Sequence, residues 1–89
     1  MTIKDIVGAV PEEELFKTED EVSRTEIAEA LRDAAAQVED GDVTLVSNAD
    51  EQHVTIPERS RFEVELERLT DSETGEQRYE LEYEIRWTK

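Results

Sequence analysis

Six glutamates alternate with apolar residues in the last third of the chain, and they are the largest group of side chains there that could do chemistry. Residues two apart in a strand point to the same side of a sheet, so each run of three presents its carboxylates together. Carboxylates on one surface can bind calcium or magnesium, or act as an acid and base pair. We call this surface the glutamate face: Glu63, Glu65, Glu67, Glu80, Glu82 and Glu84.

Two physical arguments favour a hydrated surface over a binding site. A calcium site needs oxygens that converge from a loop, whereas a pleated face holds its side chains apart. An acid and base pair needs a pocket that raises one pKa, and this face is expected to be open. The segment 71–76 is not a calcium loop, because its glycine is at the fifth position and no glutamate follows at the twelfth. Cation binding or carboxylate-based catalysis is therefore the alternative function.

Few other residues in the chain could take part in catalysis or bind a ligand. His53 is the only histidine and the chain has no cysteine, so a zinc site or a cysteine nucleophile lacks its ligands. We interpret His53 as an exposed strand residue on the same side as Val46. The three glycines are too scattered for a phosphate-binding loop. The sequence thus predicts no enzyme, no catalytic residue, no metal and no cofactor.

Aromatic residues offer a different kind of site. Tyr79 and Tyr83 alternate with glutamates, and this pattern predicts that they fill a core beneath a helix. Trp87 follows in the same alternation near the end of the last strand, where its burial is expected to be partial. Tryptophan is enriched at the centres of protein interfaces. If the chain contacts a protein partner, the candidate interaction residues are Trp87, Tyr83 and Tyr79.

A helix is predicted to begin after Ser23 and to end before Gly41. Ser23 and Glu26 form the capping pattern S-x-x-E, and glycine is the commonest residue just beyond a helix. The apolar positions between them follow one face at helical spacing, which predicts packing on a sheet. They are Ile27, Leu31, Ala34, Ala35 and Val38.

Five strands are predicted. Four follow the helix and are indicated by alternating apolar and polar residues and by the turn residues between them. The other precedes the helix and leads into it. The predicted strands cover residues 15–22, 43–48, 53–57, 62–67 and 79–87.

The first predicted hairpin turns at residues 48–51. Its register pairs Leu45 with Val54 and Val43 with Ile56, because this places four apolar side chains on one face.

The second predicted hairpin turns at residues 71–76. Its register pairs Leu66 with Leu81 and Phe62 with Ile85, and all of its apolar residues then share one face. Like charges directly opposite each other destabilise a strand pair. This register creates three such pairs, which are Glu63 with Glu84, Glu65 with Glu82 and Glu67 with Glu80.

These elements predict an α+β fold in which one helix packs on one face of a largely antiparallel sheet, in the order β-α-β-β-β-β. Residues 14–89 are predicted to form a single domain. Residues 1–13 are predicted to be either a disordered arm or a short helix, because apolar residues at helical spacing are interrupted by Gly8.

The segment LFKTEDEVSRTEIAEALRDAAAQVEDGDVTL, followed by FEVELERL and YELEYEIRW, resembles the amphi-Trp domain. The resemblance covers residues 14–88 and ends at Trp87, after the amphipathic strand that gives this family its name. It implies a haloarchaeal origin and a domain with no assigned activity, and it carries over no active-site residue.

Charge is the dominant compositional feature, with 25 acidic against 10 basic residues and a formal net charge of −15. Such a surface is typical of proteins in very salty solution, where repulsion is screened because the Debye length is about 3 Å at 1 M salt. Nucleic acids and anionic membranes would be repelled. No secretory signal or membrane span is recognised, so the predicted location is the cytoplasm. The sequence predicts a small non-enzymatic protein-interaction module, as a monomer or a weak homodimer.

Overall fold

The structure is a computed structural model that describes residues 12–89. In this range one helix is followed by four strands. The prediction for residues 1–13 falls almost wholly on residues 1–11, which lie outside the described residues. The elements are α1 (Arg24–Asp40), β1 (Asp42–Val46), β2 (Glu51–Thr55), β3 (Arg61–Thr70) and β4 (Gln77–Arg86).

Helix α1 begins and ends as its capping residues predict. The hydroxyl of Ser23 accepts a hydrogen bond from the backbone N–H of Glu26 at 3.1 Å and donates one to the Glu26 carboxylate at 3.1 Å. Gly41 adopts φ +88°, and its N–H reaches the carbonyls of Gln37 and Val38. A side chain other than glycine is strained at such an angle, so Gly41 lets the chain turn directly into β1.

The first hairpin, β1 with β2, forms in a different register from the predicted one. Val43 lies opposite Val54, whereas we expected Leu45 opposite Val54, so the strands are shifted by two residues. The reason is the turn. Ser47 donates its backbone N–H to the carbonyl of Asp50 at 2.8 Å, and the Ser47 hydroxyl accepts from the N–H of Asp50. The turn therefore closes one residue earlier than predicted.

The second hairpin, β3 with β4, confirms its predicted register, with Leu66 opposite Leu81 and Phe62 opposite Ile85. Its turn is held by Asp71, whose carboxylate accepts backbone N–H groups at 2.8 and 3.2 Å. Gly75 supplies the positive φ of +75° that the turn needs. Each strand contributes ten residues, twice the length of the strands in the first hairpin.

The predicted single sheet is wrong, and so is the order β-α-β-β-β-β. The four strands form two separate two-stranded antiparallel sheets. Helix α1 packs on β1, where the side chain of Gln37 accepts the backbone N–H of Thr44 at 2.7 Å. The chain leaves β2 through Pro57, which has no N–H to extend a strand pairing. Within the described elements, no Cα of the second hairpin lies within 8 Å of a Cα of α1 or of the first hairpin, so the second hairpin does not pack against them along its length.

The predicted strand at residues 15–22 is also absent, so the helix is the first element of the described residues. A strand is stable only where a neighbour completes its hydrogen bonds. No backbone hydrogen bond is found for residues 15–22 within the described chain, and Leu15 and Val22 are both exposed. The apolar residues at the two ends of this segment were not sufficient to make it a strand.

Candidate interaction site

One face of the second hairpin is apolar and uncovered. It combines alternate residues of β3 with the facing residues of β4, so the pleat gathers their side chains on one side. Six of them are 54–69% exposed, and Ile85 is half-buried. We call this surface the apolar face, and it consists of Phe62, Val64, Leu66, Tyr79, Leu81, Tyr83 and Ile85.

Both candidate tyrosines lie on the apolar face. The ring of Tyr83 stacks on Phe62, with 6.3 Å between centroids and 11° between planes. The hydroxyl of Tyr79 donates a hydrogen bond to the side-chain oxygen of Gln77 at 3.0 Å. Each ring therefore presents apolar surface to solvent while its neighbours restrict its orientation. Rigid aromatic surface of this kind loses little conformational entropy when it is buried by a partner.

Trp87 lies just beyond β4 and is half-buried. It lines one depression together with Leu15 and Ile85, and a second one together with Val54 and Pro57. Trp87 thus sits where the second hairpin approaches the first hairpin and the segment before the helix. Its partial burial agrees with the prediction, and it is more covered than Tyr79 or Tyr83.

The sequence assigned the wrong environment to the inner residues of the apolar face. Phe62, Tyr79 and Tyr83 were expected to fill a core under the helix, but all three are exposed and no described element covers them. Their alternation with glutamate was visible and correctly grouped them on one face. Alternation does not predict whether that face packs against another part of the same chain or against another molecule.

The glutamate face lies on the opposite side of the same hairpin, and its three facing glutamate pairs are confirmed. Arginine offsets part of the charge at the open end of the hairpin. The Arg86 guanidinium lies 3.0 Å from the Glu63 carboxylate and 3.4 Å from that of Glu84. Exposed ion pairs of this kind contribute little to stability. At the centre of the face, no arginine of the described chain pairs with Glu65.

Glu65 has an unusual protonation equilibrium. Its pKa is raised from 4.5 to about 7, first by a hydrogen bond to Glu67 and then by the negative charge of Glu67. Smaller contributions come from partial burial and from the charges of Glu63 and Glu82. The sequence argument held that a pocket is needed to raise the pKa of such a group, whereas the pKa of Glu65 is raised on an open face. Crowded carboxylates raise a pKa by repulsion without any pocket.

The other candidate groups show no site. Within residues 12–89, no group of three or more His, Asp or Glu residues is arranged to hold a metal ion. His53 is exposed, as predicted, with Nδ1 3.0 Å from the Thr44 hydroxyl and Nε2 3.5 Å from the Glu51 carboxylate. The carboxylate of Asp71 holds its own turn, and the N–H groups it accepts lower its pKa.

The fold and the site define a small, acidic α+β protein whose longest hairpin is apolar on one side and acidic on the other. The sequence model of the Amphi-Trp domain matches residues 10–89. The chain belongs to the Amphi-Trp domain family, which confirms the resemblance seen in the sequence. Neither the curated proteins nor the solved structures contain a match. No helix in the described range is long and apolar enough to cross a membrane.

Proposed function

We propose that this protein is a small, non-enzymatic protein-interaction module that works in a high-salt cytoplasm and binds through the apolar face. The observation that carries the proposal is the exposure of that face. Six apolar side chains, three of them aromatic, are more than half exposed and adjacent on one hairpin. Contiguous apolar patches of this size mark interaction sites in folded proteins.

The charge distribution favours a protein partner. A net charge of −15 repels nucleic acids and anionic membrane surfaces. The apolar face itself is nearly free of charge and rich in tyrosine and leucine, which suits a complementary apolar protein surface. Tyrosine and tryptophan at its end match the residues that dominate binding energy in such interfaces.

The acidic surface supports the high-salt environment. Only three of the ten basic residues are lysines, and the glutamate face holds three pairs of like charges directly opposite each other. Such pairing is unfavourable in dilute buffer and tolerable where salt screens it. A haloarchaeal cytoplasm supplies that condition.

Affinity capture from a haloarchaeal lysate, kept at molar potassium chloride, tests the interaction. Wild type is expected to retain a stoichiometric protein, and Leu66→Glu to lose it, because the change places a charge at the centre of the apolar face. Trp87→Ala is expected to weaken retention. Leu31→Glu is the matched control, since Leu31 is an exposed leucine on the helix. Equal retention by wild type and Leu66→Glu would contradict the proposal.

The second candidate function is cation binding or carboxylate-based catalysis on the glutamate face. The raised pKa of Glu65 favours it, because a carboxyl group that titrates near neutral pH can accept and donate a proton. Open, splayed carboxylates make selective cation binding weak. Calorimetry with calcium and with magnesium in molar potassium chloride is therefore expected to give a flat trace. Saturable micromolar binding that Glu65→Gln and Glu82→Gln abolish would establish this candidate instead.

A further inference from the structure

We propose that the apolar face binds the same face of a second copy of this chain, so that the interaction module is a homodimer of two stacked hairpins. This inference rests on the proposed function and names its partner. It is carried by three features of the second hairpin: the area of the apolar face, the position of its charges, and its fit to two-fold symmetry.

The area of the apolar face matches a modest dimer interface. Six side chains are more than half exposed, and each leaves about 100 Å² accessible. Pairing two copies therefore buries at most about 1,200 Å² in total, at the lower end of specific interfaces. Two sheets stacked in this way lie about 10 Å apart, as in other sheet packings.

The charges of the hairpin are placed for this pairing. All six glutamates of the glutamate face project from the reverse side, and Arg68 is the one charged residue among the strand positions on the apolar side. Stacking two apolar faces therefore turns both glutamate faces outward, toward solvent. Any packing of the glutamate face against another copy would instead bring six carboxylates together on each side, at a large electrostatic cost.

Two-fold symmetry keeps the two Arg68 side chains apart. In a face-to-face pair whose strands run in opposite directions, the two-fold axis of this arrangement passes between the pair Val64 with Tyr83 and the pair Leu66 with Leu81, at the middle of the apolar face. Arg68 of one copy then lies near Phe62 of the other, about 20 Å along the strand from its own equivalent. Tyr83 lies close to the axis, and its stack with Phe62 adds flat aromatic surface to the interface.

Sedimentation equilibrium at molar potassium chloride tests the dimer. Wild type is expected at twice the chain mass of 10.3 kDa. Leu66→Glu is expected to raise the dissociation constant by roughly 30-fold or more, as the loss of a central contact does. Leu31→Glu makes the same change on the helix and is expected to leave the dimer intact. Circular dichroism establishes that each variant is folded. A wild-type monomer, or a dimer unaffected by Leu66→Glu, would overturn the inference.

Cross-linking tests the geometry without disturbing the apolar face by charge. The chain has no cysteine, so Val64→Cys introduces a single thiol near the proposed axis. A short bis-maleimide is expected to join two Val64→Cys chains in high yield. Glu65→Cys, one residue along on the opposite side of the strand, is expected to stay uncross-linked. Equal yields from the two variants would refute the stacked arrangement.

Failure of the dimer and failure of the proposed function are distinguishable. If wild type is monomeric but Leu66→Glu still abolishes capture of another protein, the inference is overturned and the interaction function stands. If wild type is monomeric and Leu66→Glu changes no association, both are overturned. A dimer that Leu66→Glu dissociates, and that cross-links through residue 64 alone, supports both.

Discussion

At pH 8, above the pKa of Glu65, the chain is expected to lose most of its strand structure at millimolar potassium chloride and to regain it at molar potassium chloride. The glutamate face sets three pairs of like charges directly opposite each other along ten-residue strands. Like charges so placed destabilise strand pairing. Their repulsion extends about 10 Å at 0.1 M salt but only about 3 Å at 1 M.

The variant Glu82→Lys identifies the glutamate face as the source of this salt requirement. Lysine opposite Glu65 replaces the central repulsive pair with an attractive one. We expect the potassium chloride concentration at half-folding to fall clearly below that of wild type. Glu29→Lys makes the same charge change on an exposed helix position and is expected to lower it much less. Circular dichroism and Trp87 fluorescence follow the transition. Identical spectra at millimolar and molar salt would count against the high-salt adaptation.

Local structure was predictable because its determinants are short-range. The capping hydrogen bonds of Ser23 and the positive φ of Gly41 are dictated by residues within one turn of the helix. The register of the second hairpin was correct because a shift of one residue would move its whole apolar set to the other side. Ten-residue strands with strict alternation leave little freedom for such a shift.

The first hairpin shows where short-range reasoning fails. Its strands are only five residues long, and a shift of two residues keeps Val43 and Val54 on the same face. Alternation therefore does not distinguish the two registers. The side-chain hydrogen bonds of Ser47 and Asp50 select the earlier turn, and that signal is the ordinary preference of serine and aspartate for turns.

The packing of the helix and the two hairpins against one another was the least predictable part of the structure. The apolar stripe of the helix and the apolar face of the second hairpin suggested a single two-layer core, yet Leu31 and Leu66 are both exposed. An amphipathic pattern predicts that an apolar face is buried, but it does not predict which surface packs against that face. The same limit applies to Glu65, whose raised pKa depends on how close its carboxylate neighbours are and not on burial alone.

A second large effect is expected from pH. The stability of the second hairpin should fall as pH rises from 4.5 to about 7, when measured at moderate salt, where the hairpin is folded. The pKa of Glu65 is about 7 in the folded chain and about 4.5 when it is unperturbed. The folded chain therefore binds more protons than the unfolded chain in this window. The contribution of Glu65 is fully present below pH 4.5 and is lost as pH rises through 7.

Two variants separate this effect from ordinary acid unfolding. Glu65→Gln cannot ionise, so the decline between pH 4.5 and 7 is expected to become much shallower in urea unfolding followed by Trp87 fluorescence. Asp71 has the opposite sign, because its pKa is lowered and its stabilisation is lost only as pH falls below 3.8. Asp71→Asn should therefore alter the acid limb and leave the neutral limb unchanged. A wild-type stability that is level from pH 4.5 to 7 would show that Glu65 and Glu67 do not share a proton in the folded chain.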